Sequence, residues 1–189
     1  MKIPKLLIKY LSVGVPMTVV CFILLISGKV SLNTYSFAVD SFGKLYVGKD
    51  SKIEVYIDQS LVKSIFPMTT KGYLFTIEND DSILLSDAST VYVMDLNGVV
   101  LSQREDQFST VYSKLNSNKE IFVTTSGMKY IKRNILGRIE IIQDFENTSA
   151  VVYRMPLLDY FVKVVFWTIL VSGFIITPFI HSEWKKMLK

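Results

Sequence analysis

Short alternating apolar runs, separated by polar turns, recur along the middle of the chain from about residue 35 to residue 143. Alternation of apolar and polar residues over four to eight positions is typical of half-buried β-strands. Three copies of a first run align at a spacing of 38 residues: YSFAVD (35–40), YLFTIE (73–78) and VYSKLN (111–116). In a second run of each copy, Leu45, Ile83 and Ile121 are again 38 residues apart. The pattern therefore predicts a tandem β-repeat.

Two further runs complete each unit. The third runs are IEVYID (53–58), VYVMD (91–95) and KYIKRN (129–134), and the fourth runs are LVKSIF (61–66), VVLSQ (99–103) and RIEIIQ (138–143). Four short strands per unit, repeated at about 40 residues, are typical of a β-propeller blade. We expect a mainly β domain with three such blades, over about 35–72, 73–110 and 111–148. SAVVYR (149–154) is a candidate first strand of a fourth unit, and a chance meander of unrelated strands is the alternative to the repeat.

The turn Asp95-Leu96-Asn97-Gly98, together with the period and the strand pattern, resembles the six-bladed propellers with NHL-type repeats. The resemblance covers roughly residues 35–143 and implies a binding or scaffold role, although some members of that class are hydrolases or lyases. Closed propellers have four to eight blades, so three blades imply an incomplete ring. Two copies would supply six, which favours a homodimer; completion by another membrane protein is the alternative.

Apolar segments flank the repeats on both sides. Residues 11–27 form an uncharged run of 17 residues, which as a helix spans about 25 Å, close to the bilayer hydrocarbon core of about 30 Å. The second segment, 157–180, contains another uncharged run of 17 residues from 164 to 180. We expect two transmembrane helices, and a cleaved signal peptide is the alternative for the first.

The formal charge of +4 comes from the two ends of the chain, because residues 29–156 carry 14 Lys/Arg against 15 Asp/Glu. This nearly neutral middle argues against nucleic-acid binding. Lysines precede the first apolar segment and follow the second, which favours a cell-membrane protein with both termini cytoplasmic. The predicted organisation is therefore a basic cytoplasmic tail (1–10), a span (11–27), an extracytoplasmic β-domain (28–156), a span (157–180) and a second basic cytoplasmic tail (181–189).

Few residues in the predicted domain suit catalysis. Residues 29–156 contain no His and no Cys, which removes most nucleophile, general-base and transition-metal constellations. The sequence therefore predicts neither an enzyme nor a cofactor or metal site. Asp40, Glu78 and Asn116 occupy the same repeat position at the end of each first strand. They are the candidate ring for a ligand or partner, and the alternative is that they only start turns.

A charged pair lies at the beginning of the second apolar segment. Asp159 and Lys163 are four residues apart, so they share a helix face. We expect them to pair at the membrane interface, with Lys163 extending towards the head groups. An intramembrane ion site is the alternative.

Together these features predict a membrane-anchored extracytoplasmic binding or scaffold module that serves as an accessory subunit of a membrane complex. The alternatives are a transporter-associated membrane subunit and, third, an extracytoplasmic propeller enzyme.

Overall fold

The computed structural model describes residues 5–69, 72–106, 109–145 and 148–187. Residues 1–4 and 188–189 of the predicted tails lie outside this range. The chain divides into two compact units, Asn33–Met155 on the one hand and Met1–Leu32 with Pro156–Lys189 on the other. The described residues form three four-stranded antiparallel sheets and three helices, so the fold is mainly β.

The first sheet, sheet 1, is a meander in which each strand pairs with the next along the chain. Its strands are β1 (Thr34–Val39), β2 (Leu45–Lys49), β3 (Ile53–Ile57) and β4 (Ser60–Ile65). Ala38 lies opposite Tyr46, and Tyr46 lies opposite Val55, so these three side chains share one face. Three of the six residues of the outer strand β4 are exposed.

Sheet 2 repeats this arrangement. Its strands are β5 (Leu74–Ile77), β6 (Ile83–Ser86), β7 (Thr90–Met94) and β8 (Val100–Glu105). Leu45 and Ile83, the first residues of β2 and β6, are 38 residues apart. The predicted four-strand pattern is confirmed for these two units.

The third unit differs from the prediction at its first strand, because VYSKLN lies in a helix, α2 (Thr110–Asn118). The carboxylate of Asp106 accepts hydrogen bonds from the backbone N–H groups of Thr110 (2.9 Å) and Val111 (2.9 Å). These are N–H groups that a helix start leaves without an intrahelical acceptor. The apolar Val111 and Leu115 are four residues apart, a spacing that suits one face of a helix as well as it suits a strand.

Sheet 3 is consequently displaced by one strand from its predicted position. Its strands are β9 (Ile121–Val123), β10 (Lys129–Ile135), β11 (Arg138–Phe145) and β12 (Thr148–Arg154), paired in that order. The segment EIFVT is therefore the first strand of the sheet, and SAVVYR is its fourth strand rather than the first strand of another unit. Ile83 and Lys129, which begin β6 and β10, are 46 residues apart because α2 intervenes.

Sheet 1 packs against both of the other sheets. On one face, Tyr46 and Val55 join a buried apolar cluster with Phe75 and Leu85 of sheet 2. On the other face, the ring of Tyr56 meets Tyr153 of β12 edge to face, with centroids 5.1 Å apart. The innermost strand β1 contacts both β5 and β9. None of the three described sheets closes on itself.

The remaining unit contains α1 (Lys5–Ile26) and α3 (Leu157–Met187). Cys21, Val30 and Val162 form a small buried cluster within it. In the part of the chain whose side chains are described, one helix is long and apolar enough to cross a membrane, with its apolar window at Leu157–Phe174 and a mean hydropathy of 1.6. The apolar stretch of α1, Ser12–Ile26, is shorter. The finding rests on length and composition, so the pair of transmembrane helices stays a prediction.

Candidate functional site

A cavity of about 850 Å³ lies where β1, β5 and β9 approach one another at the end of β1 and β5. Three carboxylates line it, and its lining residues include no Lys, Arg or His. Hydroxyl and amide side chains supply most of the other polar groups, among them Ser41, Thr76, Asn79, Asn118, Thr124, Ser126 and Gln143. The cavity is therefore electronegative, and apolar side chains such as Ile77, Ile121 and Phe122 form the rest of its lining.

Three hairpin turns of the same type border the cavity. In each, the N–H of the first residue donates to the carbonyl of the fifth, and the N–H of the fourth donates to the carbonyl of the first. The first residues are Asp40, Glu78 and Thr124. The fourth residues take the left-handed conformation, with φ of 79° at Gly43, 60° at Asp81 and 82° at Gly127. Asp40, Glu78 and Thr124 are thus the structural equivalents in the three sheets.

The Asp40 carboxylate accepts hydrogen bonds from its own hairpin. Its Oδ1 accepts hydrogen bonds from the backbone N–H groups of Phe42 (3.0 Å) and Lys44 (2.8 Å), and its Oδ2 accepts one from the Tyr46 hydroxyl (3.2 Å). The residue is 3% exposed. Burial of Tyr46, followed by the charge of Asp40, raises the pKa of the Tyr46 phenol far above its usual value. All three of these hydrogen bonds come from residues 42–46 of the same hairpin, as expected for a residue that starts a turn.

Glu78 and Asp81 differ in what they contact. Both oxygens of Asp81 accept hydrogen bonds from Ser41, from its N–H at 3.0 Å and from its hydroxyl at 2.5 Å, which joins the turns of sheets 1 and 2. Glu78 is exposed, and its side chain makes no hydrogen bond or ion pair with any residue that the structure describes. Among the three cavity carboxylates, Glu78 is the one available to a ligand.

Asn116 lies apart from the other two predicted ring residues. It belongs to α2, where its Oδ1 accepts a hydrogen bond from Lys119 Nζ at 2.9 Å. It borders a different cavity, of about 310 Å³, together with Asn33, Tyr35 and Lys132. The structure therefore brings Asp40 and Glu78 to one cavity and places Asn116 elsewhere. Glycine at the fourth turn position, in DSFGK (40–44) and TTSGM (124–128), is the sequence signal that identifies Thr124 instead.

Carboxylates do not converge into a metal site within the described residues, where no group of three or more His, Cys, Asp or Glu side chains is placed to hold an ion. Asp159 and Lys163 lie on α3, and Asp159 is 3% exposed. Their pairing at a membrane interface stays a prediction.

Comparison with known proteins identifies no family. No family model matches the chain, and no curated protein matches it. Among solved structures, it is similar to a protein of unknown function from Bacteroides caccae, with 11% identity and a TM-score of 0.34 over 67% of this chain. The chain spans 62% of the length of that protein.

Proposed function

We propose that this protein is a membrane-anchored binding module whose β-domain, Asn33–Met155, lies outside the cytoplasm and serves a membrane complex as an accessory subunit. The observation that carries the proposal is the electronegative cavity at the end of the domain remote from both of its chain connections. The anchor in this proposal is α3, which contains the apolar window Leu157–Phe174, together with α1.

The two chain connections lie at one end of the domain. Asn33, which enters β1, and Ile139 of β11 border the same cavity of about 310 Å³. The N–H of Met155, which leaves β12, donates to the carbonyl of Ile139 at 2.8 Å. The cavity of about 850 Å³ borders the other end of β1, at Val39 and Asp40. In an anchored protein the connections mark the membrane side, so this cavity is open to partners on the far side.

The three sheets are, in this proposal, propeller-type blades. Each is a meander in which the first strand lies innermost and the last strand forms the outer edge. The outer strands of sheets 1 and 2 expose apolar side chains, Leu61 and Val62 on β4 and Leu101 on β8. Exposed apolar edges of this kind favour a second copy of the chain or another membrane protein as a neighbour.

The lining of the cavity of about 850 Å³ defines the chemistry of its ligand. Glu78 supplies an available carboxylate, and the surrounding hydroxyl and amide groups can both donate and accept hydrogen bonds. A protonated amine or a guanidinium pairs with such a carboxylate through charge-assisted hydrogen bonds. We therefore assign the cavity to a polar ligand that carries a cationic group, such as a basic segment of a partner protein.

Titration of the full-length protein in detergent with trilysine, by calorimetry, tests this assignment, with triglutamate and maltotriose as the oppositely charged and uncharged probes. A hydrogen bond to a charged group contributes about 1.5–3 kcal/mol, so Glu78→Gln is expected to weaken trilysine binding by about tenfold or more. The matched control is Glu105→Gln, an exposed carboxylate on β8 outside the cavity. Equal trilysine affinity in both variants, or tighter binding of maltotriose, would overturn the proposal.

A further inference from the structure

The turn between β10 and β11 carries a leucine where the backbone favours glycine or asparagine. Ile135 pairs with Arg138, and the two residues between them, Leu136 and Gly137, have φ of 50° and 87°. Two-residue turns with both residues left-handed prefer Asn-Gly or Gly-Gly. Leucine in this conformation costs about 1 kcal/mol, and the Leu136 side chain is 91% exposed. Neither backbone conformation nor core packing accounts for it.

A second two-residue turn carries polar side chains at the positions that correspond to Leu136 and Gly137. Between β3 and β4, Asp58 and Gln59 have φ of 48° and 65°, so they also adopt the left-handed conformation. Both are polar and exposed. Ile135 beside the leucine turn is 50% exposed and Ile57 beside the polar turn is 41% exposed, so the two tips differ at Leu136 itself, which is 91% exposed. Two apolar side chains therefore project from one hairpin tip.

The leucine turn lies beside the point where the chain leaves the β-domain. The N–H of Met155 donates to the carbonyl of Ile139 at 2.8 Å, and Arg138 Nε donates to the carbonyl of Met155 at 3.1 Å. Leu157, two residues further on, begins the apolar window of α3. Two extended residues span at most about 7 Å, so an α3 that enters a bilayer brings the surface of that bilayer close to the tip.

Basic side chains occupy the same end of sheet 3. Arg133 is exposed and makes no ion pair with any residue that the structure describes. Arg154 forms an ion pair with Glu140, with Nε 2.6 Å from Oε1, and its side chain is 49% exposed. Apolar tips flanked by arginines match the bilayer interface, where apolar groups enter the head-group region and cations meet lipid phosphates.

We infer that the β10–β11 hairpin tip, residues 135–137, inserts into the head-group region of the bilayer that α3 spans. The inference rests on the anchoring that the proposed function includes. The tip then holds the domain at the membrane in one orientation, with the electronegative cavity directed away from it. The polar turn at Asp58 and Gln59 stays in water.

Fluorescence quenching in vesicles tests the insertion. The full chain with Cys21→Ser receives one cysteine, at Leu136→Cys, at the polar turn as Asp58→Cys, or on α3 as Leu170→Cys, and each is labelled with an environment-sensitive dye. The vesicles contain phosphatidylcholine and a minority of phosphatidylglycerol, with spin-labelled lipid as quencher. We expect quenching at position 136 to be several-fold stronger than at position 58 and most efficient with a quencher near the head groups, whereas position 170 responds to a quencher deep in the acyl chains.

The two proposals fail in different ways. Quenching at position 170 with none at position 136 would overturn the insertion and leave the anchoring intact. Absence of quenching at position 170 would overturn the anchoring, and the inference with it. If Leu136→Cys does not fold, Ile135→Cys carries the label, because that variant keeps both turn residues; an unquenched label there overturns the insertion equally.

Discussion

Replacing Glu54 with glutamine removes the carboxylate at the centre of a buried charged cluster in sheet 1. Lys49 Nζ lies 2.6 Å from Glu54 Oε2, and Lys52 Nζ lies 2.8 Å from Oε1. The Tyr56 hydroxyl donates a further hydrogen bond to Oε2. The side chains of Lys49 and Glu54 are 3% and 5% exposed, and that of Lys52 is 13% exposed. Glu54→Gln thus leaves two ammonium groups with little access to water.

The expected loss follows from the burial of Lys49. Removing one member of a buried ion pair costs about 3–5 kcal/mol, because the other member loses its counter-charge while it stays out of water. We therefore expect the free energy of unfolding to fall by about 3–5 kcal/mol. Because domains are stable by only about 5–15 kcal/mol, the change is large.

Urea unfolding of the full chain in detergent, followed by tyrosine near-ultraviolet circular dichroism, measures this loss. The control is Glu140→Gln, whose partner Arg154 is 49% exposed at its side chain, with Nε 2.6 Å from Oε1. A pair with one solvated member contributes about 1 kcal/mol or less. A loss for Glu54→Gln that is no greater than the loss for the control would refute the reasoning.

The pH dependence provides a second readout of the same cluster. Burial raises the pKa of Glu54, but hydrogen bonds from Lys49, Lys52 and Tyr56 outweigh it and bring the pKa below its usual value. A lowered pKa means that the stabilisation is present above the ordinary value of about 4.3 and is lost as the pH falls below it. The stability difference between wild type and Glu54→Gln should therefore shrink below about pH 4, and a difference that stays constant there would contradict this cause.

Two further predictions use the same unfolding assay. Gly48→Ala places a Cβ 2.8 Å from Phe75 Cε1 in the core between sheets 1 and 2. We expect the free energy of unfolding to fall by about 1–3 kcal/mol because of overpacking. An unchanged urea midpoint would contradict this, because it would mean that the Phe75 ring moves aside without cost. Asp40→Ala removes the acceptor of two backbone N–H groups and one hydroxyl and should cost about 1–3 kcal/mol. Glu78→Ala should stay within about 0.5 kcal/mol of wild type, and equal losses for the two would contradict their separate roles.

Sheets 1 and 2 were predictable because their signals are local. Alternation identified the strands, and the residues Asp95-Leu96-Asn97-Gly98 identified one turn. In that turn the Asp95 carboxylate accepts the N–H of Val99 at 2.8 Å. The third unit was not predictable in the same way, because VYSKLN suits either a strand or a helix. The hydrogen bonds that Asp106 accepts from the N–H groups of Thr110 and Val111 favour the helix. Once that strand was assigned wrongly, every later strand of the unit shifted by one.

The residues of the candidate site show the same difference between local and long-range signals. Asp40 and Glu78 border the same cavity because both follow strands that alternation identifies, whereas Asn116 was chosen by a spacing that α2 interrupts. Contacts between sheets had no sequence signal. Lys132 Nζ, for example, donates to the carbonyl of Tyr35, 97 residues away, at 3.2 Å. Proximity of this kind arises from packing of the three sheets, which periodicity along one chain does not encode.

Labelling of Ser126→Cys in sealed, right-side-out membrane vesicles tests the central claim most directly. Ser126 is exposed and borders the electronegative cavity, and the Cys21→Ser background leaves no other cysteine, since the chain has one. The account predicts that a membrane-impermeant maleimide labels position 126 in intact vesicles, whereas Lys2→Cys in the predicted cytoplasmic tail is labelled only after detergent opens them. Protection of position 126 until the vesicles are opened, or loss of the protein from the membrane on an alkaline wash, would contradict a membrane-anchored module with an outward-facing site.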